Sequence, residues 1–333
     1  MPERPAAAAI VGGQKRAIAQ ALNLIEDRRS AAQADIASLL AELRDARGAG
    51  IGHRVGLTGP PGVGKSTLTS ALARELRARG RTVGVVAVDP SSVRSGGALL
   101  GDRARMSFDP ADAGLFVRSL ATAGEAGGLA YAAPASVEVL AAAYEVVLVE
   151  TTGVGQTETD VEYVVDTVTL VIQPGSGDVL QFIKAGIMEI PDVLVVNKGD
   201  HGRLAERAAA DLTGALDSLR GVGMADAGEG WRVPVCITSA RDRVGIDRLA
   251  DLLDAHRTGL GEQGLRTRRG RGAVAWGLDL FRRQHGDHGV GALGGHAALR
   301  GALQALVERG ADPVTAARTL SERYLSKLRR DGD

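Results

Sequence analysis

The run Gly59-Pro60-Pro61-Gly62-Val63-Gly64-Lys65-Ser66 constrains this chain more than any other stretch. It follows a short β-branched segment, residues 55–58, and opens an amphipathic stretch from Thr67 onward. A strand that enters a glycine loop and leaves as a helix presents a row of backbone N–H groups to an anion, at the positive end of the helix dipole. Glycines at 59, 62 and 64 let the backbone approach phosphate oxygens closely. In a loop of this spacing Lys65 reaches the β- and γ-phosphates, and the Ser66 hydroxyl ligates Mg²⁺.

The surrounding pattern agrees with that loop. Short β-branched runs at 55–58, 82–88, 146–150, 167–172, 193–197 and 233–238 alternate with helical stretches at 68–79, 136–143, 204–219 and 246–253. Such alternation predicts an α/β, mainly parallel sheet flanked by helices, with ligands at the C-terminal ends of the strands. Residues 14–45 read as two amphipathic helices, with Ile18, Leu22 and Ile25 on one stripe and Ile36, Leu39, Leu40 and Leu43 on the other. Past Gly259 come an arginine cluster (Arg266, Arg268, Arg269, Arg271) and a helix over 274–283. A glycine-rich loop follows at 286–295, then helices over 297–309 and 313–328, the last capped by Asp312. The expected division is a helical extension at 1–50, a phosphate-loop domain at 51–258 and a helical arm at 259–333.

Composition narrows the function. Lys+Arg and Asp+Glu are 40 each, and aromatics are 3%, so neither a basic nucleic-acid surface nor base-stacking platforms are expected. The single cysteine, Cys236, reads as a small core residue of a reducing compartment. No apolar run reaches 18 residues, and the Pro/Ala-rich first residues, read as frayed, lack the features of a secretory signal. The expectation is a cytoplasmic protein with no membrane partner.

Three further pieces extend the phosphate site. Glu150-Thr151-Thr152-Gly153 directly follows the apolar run 146–149. Glu150 is placed to hold Mg²⁺ through water, and the Gly153 N–H to sense a γ-phosphate. Asp89 ends the run 82–88, and Asp102 follows in the segment 95–106; both are candidate metal-shell acids. Residues 193–196 lead into Asn197-Lys198-Gly199-Asp200. Asp200 can accept from guanine N1–H and N2–H₂, whereas adenine would leave a buried acid unpaired. The Lys198 stem can pack on the base, Asn197 can tie neighbouring loops, and in Thr238-Ser239-Ala240 the Ala240 N–H can meet guanine O6. Phosphate loop, acid and base loop in that order point to GTP/GDP with Mg²⁺ rather than ATP.

In these residues the chain resembles the methylmalonyl-CoA mutase-associated GTPase family, whose members are also described as lysine/arginine/ornithine transport ATPases. The resemblance rests on GPPGVGKS, DPSSVRSGGALLGDRARM, ETTGVGQTE, QPGSGDVLQFIKAGIMEI and NKGD, in that order, over about residues 10–260. It implies a SIMIBI-class P-loop GTPase acting as chaperone of an adenosylcobalamin-dependent acyl-CoA mutase, gating cofactor loading and protecting the mutase. A cobalamin adenosyltransferase is the second partner expected. It also implies Asp89, Asp102 and Glu150 as magnesium-site acids, Lys65 and Ser66 as the phosphate-loop pair, a mobile switch over 173–184, and homodimerisation through helices outside the nucleotide domain. Val179, where the family commonly has an acid, and the Thr152/Thr157 neighbourhood depart from its pattern near the switches.

No residue stands as an obvious catalytic glutamine; Gln156 is near Gly153 in sequence, and Arg105 or Lys184 could neutralise developing charge. Weak intrinsic hydrolysis, accelerated by a partner, is therefore expected. Two other classes compete. One is an ATP-dependent kinase or ATPase linked to basic amino-acid transport, which the Asn197–Asp200 motif opposes. The other is a metal-insertion GTPase, which the lack of a Cys motif opposes; His285 and His288 read as residues of a solvated loop.

Overall fold

The computed structural model describes residues 4–47, 52–89, 108–109, 111–121, 130–152, 161–175, 191–221 and 230–331. By contacts the chain forms two units, Gly50–Glu262 and a second made of Met1–Ala49 with Gln263–Asp333.

The first unit is built on seven strands: β1 (His53–Thr58), β2 (Val83–Asp89), β3 (Leu115–Ala121), β4 (Val146–Glu150), β5 (Thr167–Ile172), β6 (Val193–Val196) and β7 (Val235–Ile237). They lie in the order β3-β2-β4-β1-β5-β6-β7, and every pairing is parallel. Strands β1, β4, β5 and β6 are buried along their whole length, which is why they read as near-continuous apolar runs. The chain lays β2–β4 on one side of β1 and β5–β7 on the other. The loop leaving β1 therefore sits where strand order reverses, the standard ligand position of open α/β sheets.

Helix α4 (Lys65–Ala78) follows that loop and buries Leu68, Leu72 and Leu76 against Val55 and Leu57 of β1, Val85 and Leu148. The first turns of a long helix, numbered α7 below, close the same cluster with Leu249 and Leu253. Helix α5 (Ala133–Ala143) and helix α6 (Arg203–Gly221) complete the cover. On α6, Ala205, Leu212 and Leu216 pack on Leu170, Ile172, Leu194 and Val196. Strand β3 was not foreseen: it is a half-exposed edge in which Arg118 and Ser119 break the apolar run.

The second unit holds α1 (Ala7–Val11), α2 (Lys15–Ile25), α3 (Ser30–Arg47), α8 (Gly295–Glu308) and α9 (Pro313–Asp331). It also takes the larger part of α7 (Ile246–Ala292). Val274, Phe281 and Val290 of α7 pack with Leu299 and Leu303 of α8 and with Ala316, Leu320 and Tyr324 of α9. Asp312 caps α9 by accepting from the Thr315 N–H at 2.9 Å, with Pro313 at the first position. Two expectations are corrected. Residues 7–9, expected as part of a frayed end, belong to α1, and Ile10 is fully buried. The arginine cluster and residues 286–292 of the expected glycine-rich loop belong to helix α7, so His285 and His288 are helical. His285 lies against Phe281 and Tyr324, each with ring centroids 4.8 Å away, and burial lowers its pKa. Among the described residues no helix is long and apolar enough to cross a membrane.

Candidate functional site

The loop after β1 takes the conformation its glycines permit. Gly59 has φ +139°, and a Cβ there would lie 2.0 Å from the Val171 carbonyl oxygen. Gly64 has φ +92°, and a Cβ there would come 2.7 Å from Asn197 Nδ2. Both positions therefore exclude a side chain on two grounds, backbone conformation and space. Val63 is buried, whereas Pro61, Gly62 and Thr67 face solvent. Lys65, the first residue of α4, is 6% exposed; its Nζ donates to the carbonyls of Gly59 at 2.7 Å and Pro60 at 3.0 Å. The lysine thus lies across its own loop, with the cation held over the concavity that phosphate oxygens would enter.

Strand β4 sets Glu150 beside this loop, because Leu57 of β1 and Glu150 stand opposite in register. Glu150 is 4% exposed and accepts from Ser66 Oγ at 2.5 Å. Thr151 Oγ1 donates to Thr58 Oγ1 at 3.1 Å, and the Thr151 N–H donates to the Leu57 carbonyl. Next to them the Thr152 hydroxyl is buried with no hydrogen-bond partner. The Glu150 carboxylate at the end of β4 and the Ser66 hydroxyl at the head of α4, both hard oxygen donors, fit Mg²⁺ rather than a soft metal. Asp89 ends β2, in register with Ala121, on the same C-terminal edge of the sheet. Its side chain, like Asp102, Arg105 and Gly153, lies outside the described residues.

The second half of the site follows β6. Asn197 is 2% exposed and ties three segments together. Its Nδ2 donates to the Val63 carbonyl at 2.9 Å, while its Oδ1 accepts from the Ala240 N–H and from Thr238 Oγ1, both at 3.2 Å. One amide thereby joins the phosphate loop to the segment after β7. Lys198 then turns left-handed, at φ 60°. Asp200 lies in the 3₁₀ turn Gly199–His201, where its Oδ1 accepts from Ser239 Oγ at 3.1 Å. Its carboxylate is exposed, which corrects the expectation of a buried acid: the turn carries it past the end of the strand. Ser239 itself is buried and also bonds Asp242 Oδ2 at 2.9 Å. Of the residues read from sequence, the structure brings the phosphate loop, Glu150, Asn197, Lys198, Asp200, Ser239 and Ala240 to one edge of one sheet.

Gln173, expected as the first residue of the switch over 173–184, also meets the base-loop lysine, its Oε1 accepting from Lys198 Nζ; Asp242, beside Ser239, carries no expectation from the sequence. The signal for Gln173 was positional: it leaves β5 as Asn197 leaves the neighbouring β6.

A parallel sheet with this loop at its reversal point, an acid on the next strand and a buried amide joining two loops defines a P-loop nucleotide hydrolase. The family described as methylmalonyl Co-A mutase-associated GTPase MeaB matches residues 18–285, and the chain belongs to it. A protein of Pyrococcus horikoshii named as a GTPase is 43% identical over 255 residues, covering 76% of this chain and 77% of that one. The GTPase ArgK of Escherichia coli is 37% identical over 268 residues, covering 79% of each chain. The mouse mitochondrial methylmalonic aciduria type A homolog is 38% identical over 256 residues, covering 73% of this chain and 60% of its own. Among solved structures, a LAO/AO transport system kinase superposes with a TM-score of 0.65 at 28% identity, covering 95% of both chains.

Proposed function

We propose that the protein binds and hydrolyses GTP and serves as chaperone to an adenosylcobalamin-dependent acyl-CoA mutase of the methylmalonyl-CoA mutase type, gating cofactor loading and protecting the mutase. The observation that carries the guanine reading is the loop pair held by Asn197. It brings Asp200 and Ala240 onto neighbouring segments; in this reading Asp200 meets the guanine N1–H and N2–H₂ donors, and the Ala240 N–H exchanges its bond to Asn197 Oδ1 for guanine O6. The mutase partner is supported by family membership, and the mouse relative's name, which refers to methylmalonic aciduria, agrees with it. A cobalamin adenosyltransferase is the second partner proposed.

In this reading Lys65 leaves its two loop carbonyls and contacts the β- and γ-phosphate oxygens, guided by backbone N–H groups at the head of α4. Ser66, Glu150, Asp89 and Asp102 would hold Mg²⁺, which when bound neutralises charge on the phosphate oxygens. The Gly153 N–H would sense the γ-phosphate, and Arg105 would offset the charge that develops. In this reading hydrolysis by the protein alone is slow and rises with its partner.

The domain reading stays as 1–50, 51–258 and 259–333, with homodimerisation through the helical parts. Leu325 and Leu328 on α9 support this, being apolar yet 44% and 41% exposed. The proposed location is the cytoplasm.

The test is multiple-turnover hydrolysis with and without the cognate mutase, combined with complex formation in each nucleotide state. The expected result is a nucleotide-dependent complex and partner-stimulated turnover. Absence of a complex in every state refutes the chaperone reading. Displacement of a fluorescent guanine nucleotide by ATP as readily as by GTP refutes the guanine reading and favours the kinase that the LAO/AO relative's name suggests.

A further inference from the structure

Lys198 has two unusual features. Its backbone is left-handed, at φ 60° and ψ 43°, a conformation disfavoured for a residue with a side chain. Its ammonium also reaches sideways across the sheet edge, where Nζ donates to Gln173 Oε1. The second feature follows from the pairing of β5 with β6. Ile172 stands opposite Val196, and the Asn197 N–H donates to the Ile172 carbonyl at 2.8 Å, so Gln173 and Asn197 leave the sheet side by side. A chain continuing straight would carry Lys198 past the edge. The left-handed turn instead carries its stem back over the end of β5. Gly199 continues the turn: its N–H donates to the Thr238 carbonyl at 2.8 Å, and a Cβ there would meet Ile237 Cγ2 at 2.9 Å.

A lysine stem gives up much of its rotamer freedom when held in one conformation. A wall for a flat base works only if that ordering is done before the base arrives. Gln173 suits the task. An ammonium has only donors, so the amide must present its oxygen, and the bond then has a single orientation. A neutral amide also fixes the lysine without setting a second carboxylate beside Asp200.

We propose that Gln173 is a positioning residue for base recognition: it holds the Lys198 stem as the preformed face on which the base packs. This rests on the reading of Asn197–Asp200 as the base loop, and it adds to that reading a residue from a different strand. Gln173 acts on the base half of the nucleotide and leaves phosphate binding alone.

The test is fluorescent guanine-nucleotide dissociation by stopped flow on the full chain, with Gln173→Met, Gln173→Glu, Lys198→Ala and the Gln173→Met/Lys198→Ala double variant. Gln173→Met keeps the length and removes the acceptor, and it should speed release of GDP and GTP alike by three- to tenfold. Gln173→Glu keeps an acceptor oxygen and should stay within twofold of wild type. In the Lys198→Ala background Gln173→Met should add less than twofold, and tripolyphosphate affinity should be unchanged in every variant. Additive effects, unchanged release from Gln173→Met, or an equal loss for tripolyphosphate would each overturn the proposal. Competition of GDP with ADP on the wild type reads the guanine assignment separately. If ADP binds as well, that assignment falls, and the same cycle run on ADP still decides the role of Gln173.

Discussion

Asn197→Ala should be the most damaging single change outside the phosphate loop. The side chain makes three bonds at 2.9, 3.2 and 3.2 Å, and it is 2% exposed. Truncation strands a carbonyl on Val63, an N–H on Ala240 and a hydroxyl on Thr238, residues that are 1%, 7% and 0% exposed. Each bond contributes about 1 kcal/mol, and each buried group left unmet costs about 1–3 kcal/mol. Water entering the space left by the amide would recover part of this, which leaves a loss of about 3 kcal/mol. For a unit of this size that corresponds to a fall of about 6–12 °C in melting temperature. Because the lost bonds join the phosphate loop to the segment carrying Ala240, nucleotide affinity should also fall at least tenfold. Asn197→Asp sharpens the reasoning. It is nearly isosteric and keeps an oxygen for Ala240 and Thr238, but it turns a carboxylate oxygen toward the Val63 carbonyl. It should be no better than alanine. Calorimetric melting with and without GDP, together with nucleotide titration, reads both effects. An Asn197→Asp protein with wild-type melting temperature and GDP affinity would refute the assignment of Asn197 as the tie between the loops.

Glu150→Gln should raise the Mg²⁺ concentration needed for half-maximal hydrolysis by about 10–100-fold, because the carboxylate that orients Ser66 loses its charge; a Mg²⁺ titration checks this. Thr167→Val should destabilise the protein by about 2–4 kcal/mol in urea melts. The Thr167 hydroxyl bridges His53 Nε2 at 2.7 Å and His256 Nδ1 at 2.8 Å, and all three residues are buried. Tyr144→Phe should be neutral or stabilising, because it deletes a buried hydroxyl with no hydrogen-bond partner. Burial pushes that phenol up to about 12 from 10.0. A raised folded-state pKa gives stability that is complete below pH 10 and lost as pH rises toward about 12. Urea midpoints measured between pH 9 and 11.5 should therefore fall less steeply for Tyr144→Phe than for wild type.

What the sequence displayed and what it concealed divide along a physical line. The phosphate loop was legible because one contiguous run carries both its geometry and its chemistry. Strands β4 and β5 were legible because burial on both faces makes them uniformly apolar. Strand β3 was hidden because an edge strand needs no such uniformity. Helix α7 was hidden because glycines at 261, 264, 270, 272, 277, 286, 289 and 291 each lower helix propensity by up to about 1 kcal/mol. Packing of Val274, Phe281 and Val290 overrides that preference, as tertiary burial generally does for marginal helices. The ties that assemble the site were hidden for another reason. Ser66 bonds Glu150, Asn197 bonds Val63, Ser239 bonds Asp200 and Lys198 bonds Gln173, across separations of 84, 134, 39 and 25 residues. Periodicity reports the faces of an element but not its lateral neighbours. Only the order β4-β1-β5-β6-β7 makes these residues adjacent. Each motif names a chemistry, and strand order decides which motifs share a ligand. Gln173 stands beside Lys198 because β5 lies beside β6.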